Sequence, residues 1–260
     1  MKKQDKKQLI SVVYALIGLA LVVAVWGISA LIIQNEYVMP SIGDTIKEIF
    51  SLFGEGNFWL AFLWTIIRTI IAFCVSFVLA GLTAGLGLLF KPLGGILKPI
   101  VSIIRVVPTM AVLLLILLWS KVSVAPVIIT SLVLYPMIYT QFITAFEGVD
   151  QGVLSATKVF GLSKKDKLFK VYLPTIAPSL LSHVGPNLSF GVKLTVSAEV
   201  MAYTLTSLGG MMNTANAYLN IARLAGLTIF AIIIGLVFEG VCALIIKLAF
   251  KWTKGEMNND

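Results

Sequence analysis

The chain has 260 residues, of which 58% are hydrophobic and only 12% are charged. This composition excludes an ordinary soluble globular domain and indicates a protein whose solvent is mostly lipid. The formal net charge of +8 does not indicate a nucleic-acid partner, because the basic residues follow a membrane topology and do not form one stripe with interleaved aromatic residues.

Six stretches are apolar and long enough to cross a bilayer as helices, which takes about 20 residues each. They lie at Leu9–Ile33, Phe58–Phe90, Pro99–Ser120, Val122–Phe146, Ile176–Tyr203 and Leu224–Ile246. The first exceeds the apolar region of a signal peptide, which is about 7–15 residues, so we expect an uncleaved anchor. The sequence therefore predicts an all-α polytopic membrane protein with about six transmembrane helices, organised as a single domain over residues 1–260.

The distribution of charge along the chain predicts its orientation. Lysines cluster at positions 2–7, 91–98, 158–170 and 247–254, whereas the first loop on the other side carries Glu36, Asp44, Glu48 and Glu55. Cytoplasmic loops carry an excess of basic residues. We therefore expect both termini in the cytoplasm, and residues 150–174, here called the coupling loop, within the longest cytoplasmic connection.

The coupling loop has the pattern of two short helices. Apolar or small residues recur at helical spacing at Val153, Ala156, Thr157 and Phe160, and they predict a first helix with one apolar face. Gly161 then predicts a left-handed helix end. The alternative is that these residues form a solvated hairpin that only connects two spans.

The second short helix is predicted over Lys164–Tyr172. Ser163 followed by Asp166 resembles a capping box at its start. Leu173-Pro174 is expected to close this helix before the fifth span.

The spacing of these residues resembles the cytoplasmic signature of bacterial ABC importer permeases, E-A-A-x(3)-G-x(9)-I-x-L-P. Here Ser155-Ala156-Thr157, Gly161 and Val171-Tyr172-Leu173-Pro174 occupy its positions, with Ser155, Thr157 and Val171 replacing the usual residues. Three further segments resemble the sulfonate/nitrate/taurine-type branch: Thr65–Arg68, Arg105–Pro108 and Val196–Glu199. Where that branch commonly ends its third span in Trp-Phe-Gly, this chain has Leu118-Trp119-Ser120.

The resemblance implies the type I ABC importer permease architecture in a prokaryotic cell membrane. It implies a homodimeric pore, a separate ABC ATPase subunit and an extracytoplasmic substrate-binding protein. It assigns the ATPase contact to the coupling loop, through Ser155, Ala156, Thr157, Phe160, Gly161, Leu173 and Pro174. No G-x(4)-G-K-[ST] phosphate loop occurs in the chain, so we expect ATP and Mg²⁺ to be used by the partner and no cofactor to be bound here.

The sequence offers no catalytic or metal-binding constellation. The single histidine, His183, has no serine–carboxylate or metal-ligand partners at a recognisable spacing. Cys74 and Cys242 both fall inside predicted spans, which argues against a disulfide framework. We therefore expect a protein that is not an enzyme, with His183 in a structural or pore-lining position.

Several charged residues fall inside predicted spans, where each would cost roughly 3 kcal/mol if it faced lipid. They are Arg68, Arg105, Lys193, Glu199 and Glu239. Polar and small residues at helical spacing form one stripe along the second span and another along the fifth. The residues are Thr65, Arg68, Thr69, Ala72 and Ser76 in the second span, and Ser182, Pro186, Ser189, Lys193 and Ser197 in the fifth. The candidates for the translocation pathway are Arg68, Arg105, Ser189, Lys193, Ser197 and Glu199. The alternative is that these charges pair with one another and fix helix packing, which is the role expected for Glu239.

Two other functions remain compatible with the sequence. A secondary transporter or channel not coupled to ATP would also show intramembrane charges and broken helices. A scaffold subunit would use the charges for packing alone. The substrate stays open between a sulfonate, nitrate, taurine and a pyrimidine precursor.

Overall fold

The computed structural model describes the backbone of residues 3–256, and the side chains of residues 13–157 and 159–248. Met1 and Lys2, at the start of the predicted N-terminal basic cluster, lie outside this range. The described chain is all-α. Its helices are α1 Lys3–Ile33, α2 Ile42–Phe53, α3 Gly56–Leu89, α4 Lys91–Val106, α5 Thr109–Trp119, α6 Ala125–Glu147, α7 Gln151–Val159, α8 Lys164–Lys167, a π-helical segment Leu168–Tyr172, α9 Leu173–Ser182, α10 Val184–Met201, α11 Leu208–Ala217 and α12 Ile221–Glu256.

Four helices are long and apolar enough to cross a membrane by themselves: α1, α3, α6 and α12. A fifth crossing arises if the bent pair α4–α5 counts as one span. The remaining predicted span, Ile176–Tyr203, corresponds to α9 and α10, which meet at His183. Neither of these two helices passes the same test of length and composition, so the sixth crossing stays a prediction.

The third predicted span, Pro99–Ser120, is not one straight helix. Its two halves, α4 and α5, are bent by 96° at Val107-Pro108. A residue before proline is forced out of the helical conformation, and Val107 is extended, with φ −62° and ψ 130°. The bend turns α4 away from the direction of α5 and opens a space beside α6.

The bundle is built around α3, which packs against α6 and α10. Small residues on α3, including Ala72, Ala80 and Ala84, are fully buried, which allows the neighbouring helices to approach closely. At Gly81 an added Cβ would lie only 3.1 Å from the ring of Phe142 on α6. Gly81 therefore serves helix packing.

The short helix α2 is clamped to the beginning of α12. Arg223 forms salt bridges with Glu55, at 2.6 Å, and with Glu48, at 3.7 Å. The hydrogen bond from Arg223 lowers the pKa of the Glu55 carboxyl below its ordinary value. Ser41 caps α2, since its Oγ accepts a hydrogen bond from the Asp44 amide at 3.0 Å.

The turn after α10 and the short helix α11, which lie between α10 and the start of α12, were not predicted. After α10 the chain turns through Tyr203, which has a φ of +53°, and forms α11 before α12 begins. Ser207 caps α11 by accepting from the amide of Gly210 at 2.8 Å. α11 packs against both α10 and α12, so it belongs to the bundle.

Candidate functional site

The first helix of the coupling loop ends as the glycine predicts. Gly161 has a φ of +63°, and the amide of Leu162 donates to the carbonyl of Thr157 at 3.1 Å. This is the hydrogen bond of a Schellman motif, in which a left-handed residue follows the helix. The chain therefore turns a fixed corner between α7 and α8.

The expected apolar face of α7 is only partly exposed. Thr157 is buried, and its hydroxyl donates to the carbonyl of Leu154 at 2.7 Å. Ser155 and Ala156 are exposed, and Phe160 is 81% exposed. Thr157 therefore points into the protein and is removed from the exposed face, because the core lies on that side of α7.

The sequence pattern missed the most exposed apolar residue of this corner, Val159, which is 86% exposed. Val159 lies off the helical stripe that includes Val153 and Phe160, so the periodicity gave no signal for it. Together Val159 and Phe160 form an apolar tip at the end of α7, here called the α7 tip.

The second helix begins at the predicted cap. The Ser163 hydroxyl accepts from the amide of Asp166 at 3.1 Å. The Asp166 carboxylate in turn accepts from Lys170 at 2.7 Å. Hydrogen bonds from Lys170 and Ser163 lower the pKa of the Asp166 carboxyl, so it is ionised at neutral pH.

The expected break at Leu173-Pro174 is wrong. The helical path continues from α8 through the π-helical segment into α9, and Pro174 lies in the first turn of α9. A proline lacks an N–H and its ring crowds the carbonyl four residues earlier. The wider π turn, in which the Leu173 amide bonds to the Leu168 carbonyl, accommodates this proline without a break.

The coupling loop is anchored to the main core. Val149 and Leu168 are buried in the same hydrophobic cluster as Phe146, and Leu173 packs against that cluster. Tyr172 makes an edge-on contact with Phe146, with ring centroids 5.7 Å apart. The α7 tip is therefore an exposed surface held on a fixed support.

Within the bundle, Arg68 and Glu199 form a buried ion pair. The Arg68 Nη1 to Glu199 Oε1 distance is 2.9 Å, and Glu199 is completely buried. Glu199 also accepts from the Thr65 hydroxyl, at 2.9 Å, and from the Gly209 amide, at 3.3 Å. Arg68 in addition donates to the backbone carbonyls of Ser123 and Thr206. This geometry favours the packing role for the pair, because its atoms are already satisfied.

Arg105 lies in a different environment, at a cavity of about 820 Å³ between α4, α5, α6, α9 and α10. Its guanidinium donates to the hydroxyl of Thr140. Thr144, Ser179 and His183 also line the cavity, and none of the described side chains that line it is acidic. The cavity thus combines one fixed cation with hydroxyl groups and apolar walls.

The sequence reasoning missed Thr140 and Gln141, polar residues on the α6 wall of this cavity, and Asn187, the buried partner of Gln141 on α10. Gln141 and Asn187 exchange two hydrogen bonds, at 3.0 and 2.9 Å. The pair holds α6 and α10 together beside Arg105. The sequence did contain a signal for the α6 residues, because they are polar residues within the otherwise apolar fourth span.

The remaining pathway candidates meet on the other side of α10. Ser189, Lys193 and Ser197 line a cavity of about 930 Å³ between α10 and α12, together with Glu239. Glu239 was expected to pair structurally, but it forms no salt bridge with another described side chain. The α10 stripe therefore borders open space, whereas the α3 stripe is buried.

The family of the chain follows from comparison with known proteins. The model of the binding-protein-dependent transport system inner membrane component family matches residues 77–251. The chain belongs to this family. It is therefore a multi-pass permease component of an ABC-type importer, and the coupling-loop resemblance is confirmed at the level of the family.

Two curated relatives are permeases that are named for transport of small organic solutes. It is 27% identical over 227 residues to the taurine transport system permease protein TauC of Escherichia coli, covering 84% of this chain and 82% of that protein. It is 25% identical to the putative aliphatic sulfonates transport permease protein SsuC of Bacillus subtilis, covering 90% and 85%. These relatives are transport permeases.

Solved structures confirm the fold of the permease. The inward-facing MetNI methionine ABC transporter aligns with a TM-score of 0.62 at 17% identity, over 73% of this chain and 96% of that chain. A bacterial ABC transporter involved in alginate import aligns with a TM-score of 0.64 at 14% identity, over 94% and 97%. The chain has the type I importer permease architecture.

Proposed function

We propose that two copies of this permease form the translocation pathway of an importer driven by a separate ABC ATPase subunit. An extracytoplasmic binding protein delivers the solute, and both termini lie in the cytoplasm with the coupling loop. ATP and Mg²⁺ are bound by the ATPase and not by this chain.

The α7 tip is the observation that carries this proposal. Val159 and Phe160 are almost fully exposed, although the helix that bears them is fixed to the core. The lysines of α8 follow this tip closely in the chain, so the tip lies outside the hydrocarbon layer. Lipid therefore does not bury its apolar side chains. An apolar tip in that position is suited to the pocket of a partner protein, where one aromatic anchor supplies much of the binding energy.

The Arg105 cavity supports a small organic anion as the solute. Among the lining residues that the structure describes, the one charged side chain is a cation, and the hydroxyl groups can donate hydrogen bonds to an anionic oxygen. The two curated relatives transport taurine and, putatively, aliphatic sulfonates, and both solutes carry a sulfonate group. We propose an aliphatic sulfonate or a similar anion for this permease.

The exposed apolar side of α4 and α5 supports the second copy as the other wall of the pathway. Val106, Leu118 and Trp119 are each at least three-quarters exposed. Val106 adjoins the bend that opens the Arg105 cavity, and Leu118 and Trp119 lie at the far end of α5. A second copy on this side would enclose the cavity.

Phe160→Asp tests the ATPase contact. The variant and the wild type are co-purified with the ATPase and reconstituted with the binding protein in proteoliposomes, and ATP-dependent uptake of labelled ethanesulfonate or taurine is measured. We expect Phe160→Asp to lose ATPase co-purification and uptake, since truncating an aromatic anchor costs about 2 kcal/mol or more. Lys98→Ala, on exposed α4, is the matched control.

Two outcomes would contradict the proposal. If Phe160→Asp retains wild-type co-purification and ATP hydrolysis, the α7 tip is not the binding site for the ATPase subunit. If the wild type takes up solute equally well without ATP, the alternative of a secondary transporter or channel is correct.

A further inference from the structure

An apolar groove of about 730 Å³ lies on the outside of the bundle, separate from the Arg105 cavity. Its walls come from α3, α6, α9 and the π-helical segment. The described residues that line it are apolar or aromatic, except for one charged residue, Lys165. We call this feature the α3–α9 groove.

The length of the groove matches one membrane leaflet. Along α3 its lining extends from Phe77 to Leu89, which at the helical rise is about 18 Å. Half of the hydrocarbon core is about 15 Å thick. The groove therefore has room for an acyl chain lying along α3.

Local backbone features shape the groove. Gly85 and Gly81 place no side chain on the α3 wall, and the nearest atom to an added Cβ at Gly85 is Leu168, at 3.8 Å. The π-helical segment places the consecutive residues Leu168 and Phe169 on the opposite wall. π-helical turns occur frequently at functional sites.

Positive charge gathers at one end of the groove. Lys165 lines it, and Lys164 donates to the Leu89 carbonyl at 3.4 Å, at the end of α3. The nearby carboxylate of Asp166 is already neutralised by Lys170. Lys165 forms no salt bridge with any side chain that the structure describes. This end is therefore complementary to an anion.

We propose that the α3–α9 groove is a selective site for an anionic phospholipid of the cytoplasmic leaflet. One acyl chain lies along α3, and the headgroup phosphate binds at Lys165. Basic pockets between transmembrane helices on the cytoplasmic side bind anionic headgroups in this way. The site adjoins the π-helical segment, so a bound lipid braces the support of the α7 tip. This proposal rests on the proposed cytoplasmic position of the coupling loop, and it does not depend on the solute or on the ATPase contact.

Native mass spectrometry of the purified, delipidated full chain tests the proposal. Dioleoyl phosphatidylglycerol and dioleoyl phosphatidylcholine are added separately, and retained lipid is counted per chain. We expect one phosphatidylglycerol per chain, held about fivefold more tightly than phosphatidylcholine, the factor for one lysine near an anionic headgroup. Lys165→Gln should remove this preference, and Lys98→Gln should keep it.

A second variant tests the apolar part of the groove. Gly85→Leu places a side chain in the groove, and the Cβ of that side chain makes only an ordinary contact with Leu168. The variant should lower retention of both lipids. The proposal fails if Lys165→Gln keeps the wild-type preference for phosphatidylglycerol, or if inorganic phosphate binds as well as the lipid does. It also fails if Gly85→Leu changes dimer formation and leaves lipid retention unchanged, because the groove then receives a second copy of this chain.

Discussion

Glu199 illustrates how a charge is accommodated inside this bundle. It is completely buried, yet its carboxylate receives hydrogen bonds from Arg68, Thr65 and the amide of Gly209. Removing one partner of a buried ion pair leaves the other charge uncompensated in an apolar medium. The pair therefore links α3 to α10 and to the start of α11.

We expect Arg68→Leu to destabilise the fold by about 3–5 kcal/mol, as is typical when one partner of a buried pair is removed. Thermal unfolding and membrane yield in detergent would measure this effect. Lys193→Leu removes the same charge from an exposed position and should lower uptake while leaving unfolding unchanged. Equal losses of stability in the two variants would contradict this assignment.

Arg105 provides the second prediction at this scale. We expect Arg105→Gln to weaken the apparent affinity for an anionic solute about tenfold, because a hydrogen bond to a charged group contributes about 1.5–3 kcal/mol. The dependence of ATP-driven uptake on ethanesulfonate concentration measures the change. Arg105→Lys, which keeps the charge, should lose less. If Arg105→Gln retains the wild-type concentration dependence, the anion binds elsewhere.

At the scale of elements, the corner between α7 and α8 sets the direction of the α7 tip. Gly161 is the residue at this corner, and no atom lies within 4 Å of an added Cβ there. Space is therefore available, and only the left-handed conformation restricts the choice of residue.

Gly161→Val should misdirect the α7 tip without unfolding the spans. A branched residue held in the left-handed region costs roughly 1–2 kcal/mol. We expect reduced ATPase co-purification with an unchanged unfolding temperature of the bundle. Gly161→Asn, which tolerates this conformation, is the matched control and should retain binding. Wild-type co-purification of the ATPase with Gly161→Val would show that the conformation of this corner does not determine ATPase binding.

At the scale of the whole molecule, the positions of the charged loops give a topology that can be tested directly. Single cysteines are introduced at Ser155 and Gly54 in a chain lacking Cys74 and Cys242. We expect a membrane-impermeant maleimide added to intact cells to label the cysteine at position 54 and not the one at position 155. Labelling of position 155 from outside would overturn the orientation.

The crossing by α9 and α10 decides the number of spans, because neither helix by itself passes the test of length and composition that the longer helices pass. These helices carry Pro186, Ser189 and Lys193 on the side facing the cavity between α10 and α12. Polar residues that line a cavity lower the hydropathy of a span without exposing charge to lipid. The proposed cytoplasmic position of both termini implies an even number of crossings, and this segment is then expected to span.

The sequence by itself determined the features that depend on neighbouring residues. The long apolar helices, the corner at Gly161 and the cap at Ser163 all follow from local composition and backbone preference, and the structure confirms them. The family was also accessible from the spacing in the coupling loop. These signals lie within one or two helical turns of each residue concerned.

Only the tertiary structure decided which charged residues pair with each other and which line a cavity. Arg68 meets Glu199 across 131 positions of sequence, and Arg105 meets Thr140 because the chain bends at Pro108. Periodicity shows that such residues avoid lipid, but it does not show which helix lies opposite. Packing against α6 and α10 settles that choice, so the buried stripe of α3 and the cavity-lining stripe of α10 could be distinguished only once the bundle was assembled.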